Sequence, residues 1–108
     1  AADCRSGPRE ILAPKTPLTR RAVEPERTPF GILMPLCDGQ RRQPEVPLTR
    51  EEQLWAQTII ELLQDERTRK TFSAQGKRRA ADFSPESITA RWHHLLDQLQ
   101  RPTPRAAA

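Results

Sequence analysis

The chain has 108 residues, of which 35% are hydrophobic and 5% aromatic, and it carries eleven prolines. That leaves room for one small domain at most, with a core that would be marginal even at average composition. The formal net charge of +4 permits weak attraction to nucleic acid or anionic lipid but dictates no fold. Two cysteines, Cys4 and Cys37, exclude a disulfide framework, and no apolar run approaches the roughly 20 residues of a membrane-spanning helix.

Apolar residues gather over 31–36 and again from Leu54 onward, and are sparse over 13–29 and 38–47. This distribution predicts an ordered C-terminal half and a loosely held N-terminal half. Neither cysteine sits in a CxxC or metal-like spacing, so reduced thiols in a cytoplasmic protein are the simplest reading. There is no signal peptide and no initiator methionine, which fits a fragment of something longer.

In chain order, residues 1–12 read as the end of a buried strand, a glycine-proline turn and a short re-entry into structure. Gly7 can take a positive φ without steric cost, and Pro8 fixes its own φ and restricts Gly7 before it. Residues 13–29 hold Pro14, Pro17, Pro25 and Pro29 among charged residues, which predicts an exposed link with one helical turn near residues 20–23. The apolar run at 30–36, bounded by prolines, predicts a buried strand of a parallel sheet. Little else in the chain could cover both faces of such a strand, so partner strands are expected to be missing. Cys37, Asp38 and Gly39 then form a turn.

Thr49 with Glu52 three residues later is a capping-box pattern and opens a helix over 49–64. Leu54, Trp55, Ile59, Leu62 and Leu63 cover roughly half its circumference. Asp65 caps a second helix over 66–82, in which Thr68, Phe72, Gly76, Ala80 and Phe83 recur at spacings of three or four. Ser84 and Pro85 start a third helix over 85–100, serine as N-cap and proline at the first helical position. Its stripe is Ile88, Trp92, Leu95, Leu96 and Leu99, Pro102 and Pro104 end it, and residues 101–108 read as a flexible tail.

Candidate chemistry is thin. Arg67, Lys70, Lys77 and Arg78 share an arc of the second helix that would suit phosphate contacts. No aromatic is interleaved for base stacking, and no helix-turn-helix or RNA-binding signature is present, so a solvated helix face is preferred and nucleic acid is disfavoured. His93 and His94 are adjacent, point about 100° apart on a helix, and cannot share a metal as an i, i+4 pair would. Glu10 stands beside the turn, and Asp38 follows the strand where ligands collect in open α/β sheets; each is read first as capping or holding a turn. A Gly-rich phosphate loop, a Ser-His-Asp set and a nucleophile elbow are all absent.

Three blocks in order carry a resemblance. Asp3-Cys4-Arg5-Ser6-Gly7-Pro8-Arg9-Glu10-Ile11-Leu12 resembles the "DC-x-SGP-x-EIL" block of family 4 glycosyltransferases, the retaining enzymes with two Rossmann-like lobes called GT-B. Phe30-Gly31-Ile32-Leu33-Met34-Pro35-Leu36-Cys37-Asp38 is similar to their "YG-apolar-LVPV-x-D" strand, with Phe30 in place of the usual tyrosine. Residues 47–65, then Ala80-Ala81-Asp82-Phe83-Ser84 and Ile88 to Trp92, resemble the closing helices. Thr68 and Gly76 stand where the family tends to have leucine and alanine.

The resemblance implies an α/β fold: a partial Rossmann-like C-terminal lobe, 1–100, that is mostly helical in its second half. It further implies transfer of a sugar from a nucleotide-sugar donor, without a cofactor or metal, to a cell-surface glycan or lipid-linked acceptor. The family's paired glutamates would lie upstream of Asp3, so no catalytic residue carries over, and the chain is expected to be inactive by itself. Ser6, Gly7, Pro8 and Glu10 would stand near the donor cleft. The implied partners are the missing N-terminal lobe, the nucleotide-sugar and the acceptor, with peripheral contact at the inner face of the membrane open to the parent. The competing reading is a free-standing basic helical module that binds nucleic acid or a partner protein.

Overall fold

The computed structural model describes residues 1–100; the tail expected at 101–108, with Pro102 and Pro104, lies outside them. The chain divides into two compact units, Ala1–Lys77 and Arg78–Ala108. Among the described residues it is α/β, about half helical, with a two-stranded antiparallel sheet and four helices.

The apolar run does build the centre of the first unit, but as a shorter strand than expected. Strand β1, Glu26–Thr28, and strand β2, Gly31–Leu33, form an antiparallel hairpin around Pro29 and Phe30, with Glu26 opposite Leu33 and Thr28 opposite Gly31. The threonine hydroxyl donates to the Gly31 carbonyl at 2.9 Å and helps close the turn. The link over 13–29 therefore holds a strand. The helical turn expected at 20–23 is absent, and Ala13 is buried.

The sheet is thus antiparallel where a parallel one was expected, and parallel pairing is confined, among the described residues, to an isolated bridge between Ala2 and Met34 just past β2. The Ala1 amine donates to the Ile32 carbonyl at 2.7 Å. Met34 N–H then donates to Ala1 O at 2.8 Å, and Asp3 N–H to Met34 O at 2.9 Å. Evenly stepped bonds of this kind are the signature of parallel pairing. Ile32, Leu33 and Met34 are buried, and with Ala13 they make the apolar core.

Helix α1, Pro8–Leu12, follows Gly7, whose φ of 97° lies in the region that favours glycine. Leu12 packs on β2, its methyls standing 3.4 Å, an ordinary contact distance, from where a Cβ on Gly31 would lie. Helix α2, Arg50–Gln64, opens on the expected capping box. The Thr49 hydroxyl accepts from Glu52 N–H at 3.2 Å, and the Glu52 carboxylate accepts from Thr49 N–H at 2.7 Å. Trp55 fastens this helix to the sheet by donating its indole N–H to the Pro35 carbonyl at 2.9 Å. Between β2, α2 and the next helix lies an apolar cavity of about 220 Å³, lined by Ile32, Trp55, Ile59, Leu62 and Phe72 among others.

Asp65 both ends α2 and begins helix α3, Glu66–Ala81. Its N–H donates to Glu61 O at 3.0 Å. Its carboxylate accepts from Thr68 N–H at 2.9 Å and from the Thr68 hydroxyl at 2.5 Å. No residue of α3 is buried. Helix α4, Pro85–Gln100, is capped as expected by Ser84, whose Oγ accepts from Ser87 N–H at 3.2 Å. Its apolar stripe is exposed at Trp92, Leu95, Leu96 and Leu99.

Candidate functional site

The chain concentrates its buried charge next to the bridge between Ala2 and Met34, at Asp3 and Arg9. Asp3 follows the bridge residue Ala2 with its side chain buried. The backbone then reverses, with Cys4 N–H donating to Ala2 O at 2.9 Å, exposes Arg5 and Ser6, and turns through Gly7 into α1. Arg9, in the first turn of α1, points back beneath this loop and is 2% exposed.

Every donor of the Arg9 guanidinium is engaged. Nε and Nη2 donate to Asp3 Oδ2 at 3.2 and 2.5 Å. Nη1 and Nη2 form a fork on the Glu26 carboxylate at 3.2 and 2.9 Å, and Nη1 also reaches the Thr16 hydroxyl at 3.1 Å. Thr16 passes its own proton to Ala13 O at 2.8 Å, and Arg20 adds a second cation 3.6 Å from Glu26. Two carboxylates thus face two guanidinium groups. That balance is what a buried ionic cluster requires to persist.

The pairing sets the protonation states. Burial pushes the Asp3 carboxyl up, but hydrogen bonds from Arg9 and from Ala22 N–H, the latter 2.7 Å long, outweigh it and hold the group below its ordinary 3.8. Glu26 is held below its ordinary 4.5, chiefly by its hydrogen bonds from Arg9 against the opposing effect of burial. Arg9 is raised further, first by Glu26 and then by Asp3, and stays charged at every working pH. One atom is left over: Asp3 Oδ1 is buried and has no hydrogen-bond partner.

Beside this cluster is a cavity of about 340 Å³, lined by Asp3, Arg21, Ala22, Val23, Pro35 and Leu36 with Arg50 and Glu51 from the start of α2. Its cations are engaged. Arg21 donates to the carbonyls of Leu18, Arg20 and Arg5. Arg50 pairs with Glu24 and donates to Val23 O.

The residues expected near a cleft occupy one short stretch. Ser6 is exposed, Gly7 is the N-cap of α1, Pro8 is its first residue, and Glu10 is an exposed acid of its first turn. None of the four lines the 340 Å³ cavity. Asp38 accepts from Gln40 N–H at 3.0 Å and pairs with Arg42, which brings its pKa down to about 2, so it holds a turn. On α3, Lys70 pairs with Glu66 at 2.7 Å, Arg69 donates to the last carbonyls of α2, and Arg79 pairs with Asp82 at 2.7 Å over the Phe83 ring. Much of the basic run is thereby used within the helices. His93 and His94 are exposed, and Gln98 lies 2.9 Å from the His94 ring. Among the described residues, no group of three or more His, Cys, Asp or Glu could hold a metal, and no helix is long and apolar enough to cross a membrane.

Sequence reasoning singled out the turn and missed what holds it. Arg9 lay inside the Asp3–Leu12 block and was given no role of its own. Glu26 lay in a link with no apolar alternation, and no local pattern joins two residues seventeen apart.

An uncharacterized glycosyltransferase of Methanocaldococcus jannaschii is 34% identical to this chain over 100 residues, a stretch that takes in 90% of the chain and 24% of that protein. The chain thus spans about a quarter of the length of the relative it matches. No family model matches the chain, and no solved structure does. The similarity supports kinship with part of a glycosyltransferase.

Proposed function

We propose that the chain is the closing part of the nucleotide-sugar-binding lobe of a retaining, family 4, GT-B glycosyltransferase. In this reading the whole enzyme moves a sugar from a nucleotide-sugar donor to a cell-surface glycan or lipid-linked acceptor, and the chain alone is inactive. The missing N-terminal lobe supplies the acceptor site, and residues upstream of Asp3 supply the paired glutamates. The observation that carries the proposal is the 34% identity to a glycosyltransferase across 90% of the chain. The parallel bridge between Ala2 and Met34, followed by a glycine turn and a short helix, is a further support for the reading.

The test compares this chain with a protein that also includes its upstream coding sequence. Each is incubated with a panel of nucleotide-sugars, and release of nucleotide and glycan transfer are followed. Transfer by the longer protein and none by the 108-residue chain is the expected result. Transfer by neither, together with salt-sensitive retention of the short chain on nucleic acid, would favour the basic-module reading instead.

A further inference from the structure

We propose that Arg9 is the positioning residue of the Ser6-Gly7-Pro8 turn, the side chain that fixes where this turn stands for donor binding; the inference rests on the donor-lobe reading above. The turn has little else to hold it. Helix α1 has five residues and no side-chain N-cap, far below the length at which a helix sustains itself. Nothing lies within 4 Å of a Cβ built on Gly7, so packing does not wedge the turn at its apex.

Leu12 rests against β2 at the far end of α1, the exposed Arg21 side chain reaches Arg5 O at 3.2 Å, and the buried Arg9 holds the near end. Only Arg9 brackets the turn. Its guanidinium reaches Asp3, the last residue before the loop, and so closes residues 3–9 at the base with a pair 2.5 Å long. The same group grips Glu26 at 2.9 Å, so the staple is itself fixed to β1. A loop closed at its base by two bonds onto Asp3 Oδ2, with the same guanidinium forked on Glu26, has one place to stand, and the ordering is complete before a ligand arrives.

Arg9→Lys keeps the charge but has one compact donor group instead of a fork, and Glu26→Gln removes only the outer grip, on a side chain that is 18% exposed. In the 108-residue chain, Arg9→Lys should strip exchange protection from the Ile11 amide, which donates to Gly7 O, while the Glu52 amide in the capping box of α2 keeps its own. In the longer protein, both variants should raise KM for the nucleotide-sugar, about tenfold for Arg9→Lys and less for Glu26→Gln, with kcat little changed. A merely structural role would lower the amount of folded enzyme and leave KM alone. KM unchanged in two folded variants of an active enzyme would overturn the positioning role by itself. An unmodified longer protein that transfers no sugar would sink the donor-lobe reading and this inference with it.

Discussion

Arg9 commits five donors to two carboxylates and a hydroxyl inside a core of a few apolar side chains, so it contributes to the acid behaviour of the first unit alongside Asp38 and Asp65. Asp3 and Glu26 have folded pKa values below their ordinary 3.8 and 4.5. A depressed carboxylate contributes stability that is fully present above its unfolded pKa and is lost as pH falls through the folded one. Stability of the natural chain should therefore be flat from neutral pH down to about 5 and decline below about 4. Arg9→Met reverses the slope. Two carboxylates left without their cation are raised by burial, so that variant should lose about 3–5 kcal/mol at neutral pH and recover part of it in acid. Urea midpoints between pH 3 and pH 7 check both; a variant that weakens in acid as the parent does would show that the cluster contributes nothing.

At the scale of elements, what was legible in the sequence was what is local. The capping box at Thr49 and Glu52, the Asp65 junction and the Ser84 cap each lie within four residues of what they bond, and the three long helices begin where those signals stand. Thr49→Ala should cost about 1 kcal/mol by freeing the Glu52 N–H, and Thr49→Ser, which keeps the accepting hydroxyl, should leave stability nearly unchanged. Thermal unfolding followed through Trp55, in a Trp92→Phe background, measures the difference. The hairpin was not legible, because its turn residues are Pro29 and Phe30 instead of the Asn-Gly or Asp-Gly pair that marks such loops. Strand β1 is three residues with no apolar alternation, and it is fixed by Glu26 on Arg9, a bond across the chain that no window of sequence contains. The same reason hid the site: Ser6, Gly7, Pro8 and Glu10 could be found as a turn, but the cluster beneath them is assembled by tertiary contact.

For the molecule as a whole, the imbalance between a small core and its apolar surface governs solution behaviour. Ala13, Ile32, Leu33 and Met34 are the buried hydrophobic residues among those described, while Ile59, Ile60 and Leu63 of α2 and the stripe of α4 are open to solvent. Exposed apolar area that is contiguous seeks a cover, and copies of the same chain are the cover always at hand in a concentrated sample. The 108-residue chain should therefore associate as its concentration rises, with broadened sedimentation boundaries and dye binding typical of accessible apolar surface. Ile60 and Leu63 lie three apart on α2, at 49% and 68% exposure, so they share a face and contribute little to the interior. Ile60→Glu with Leu63→Glu should suppress association while moving the unfolding free energy by no more than about 0.5 kcal/mol per site. Sedimentation velocity at two concentrations, about thirtyfold apart, separates the outcomes, since association is set by mass action and folding of a monomer is not. A doubly substituted chain that associates as strongly as the parent would shift the cause to the stripe of α4, where Leu96→Glu repeats the measurement. A substituted chain that unfolds would instead show that α2 buries this face in solution.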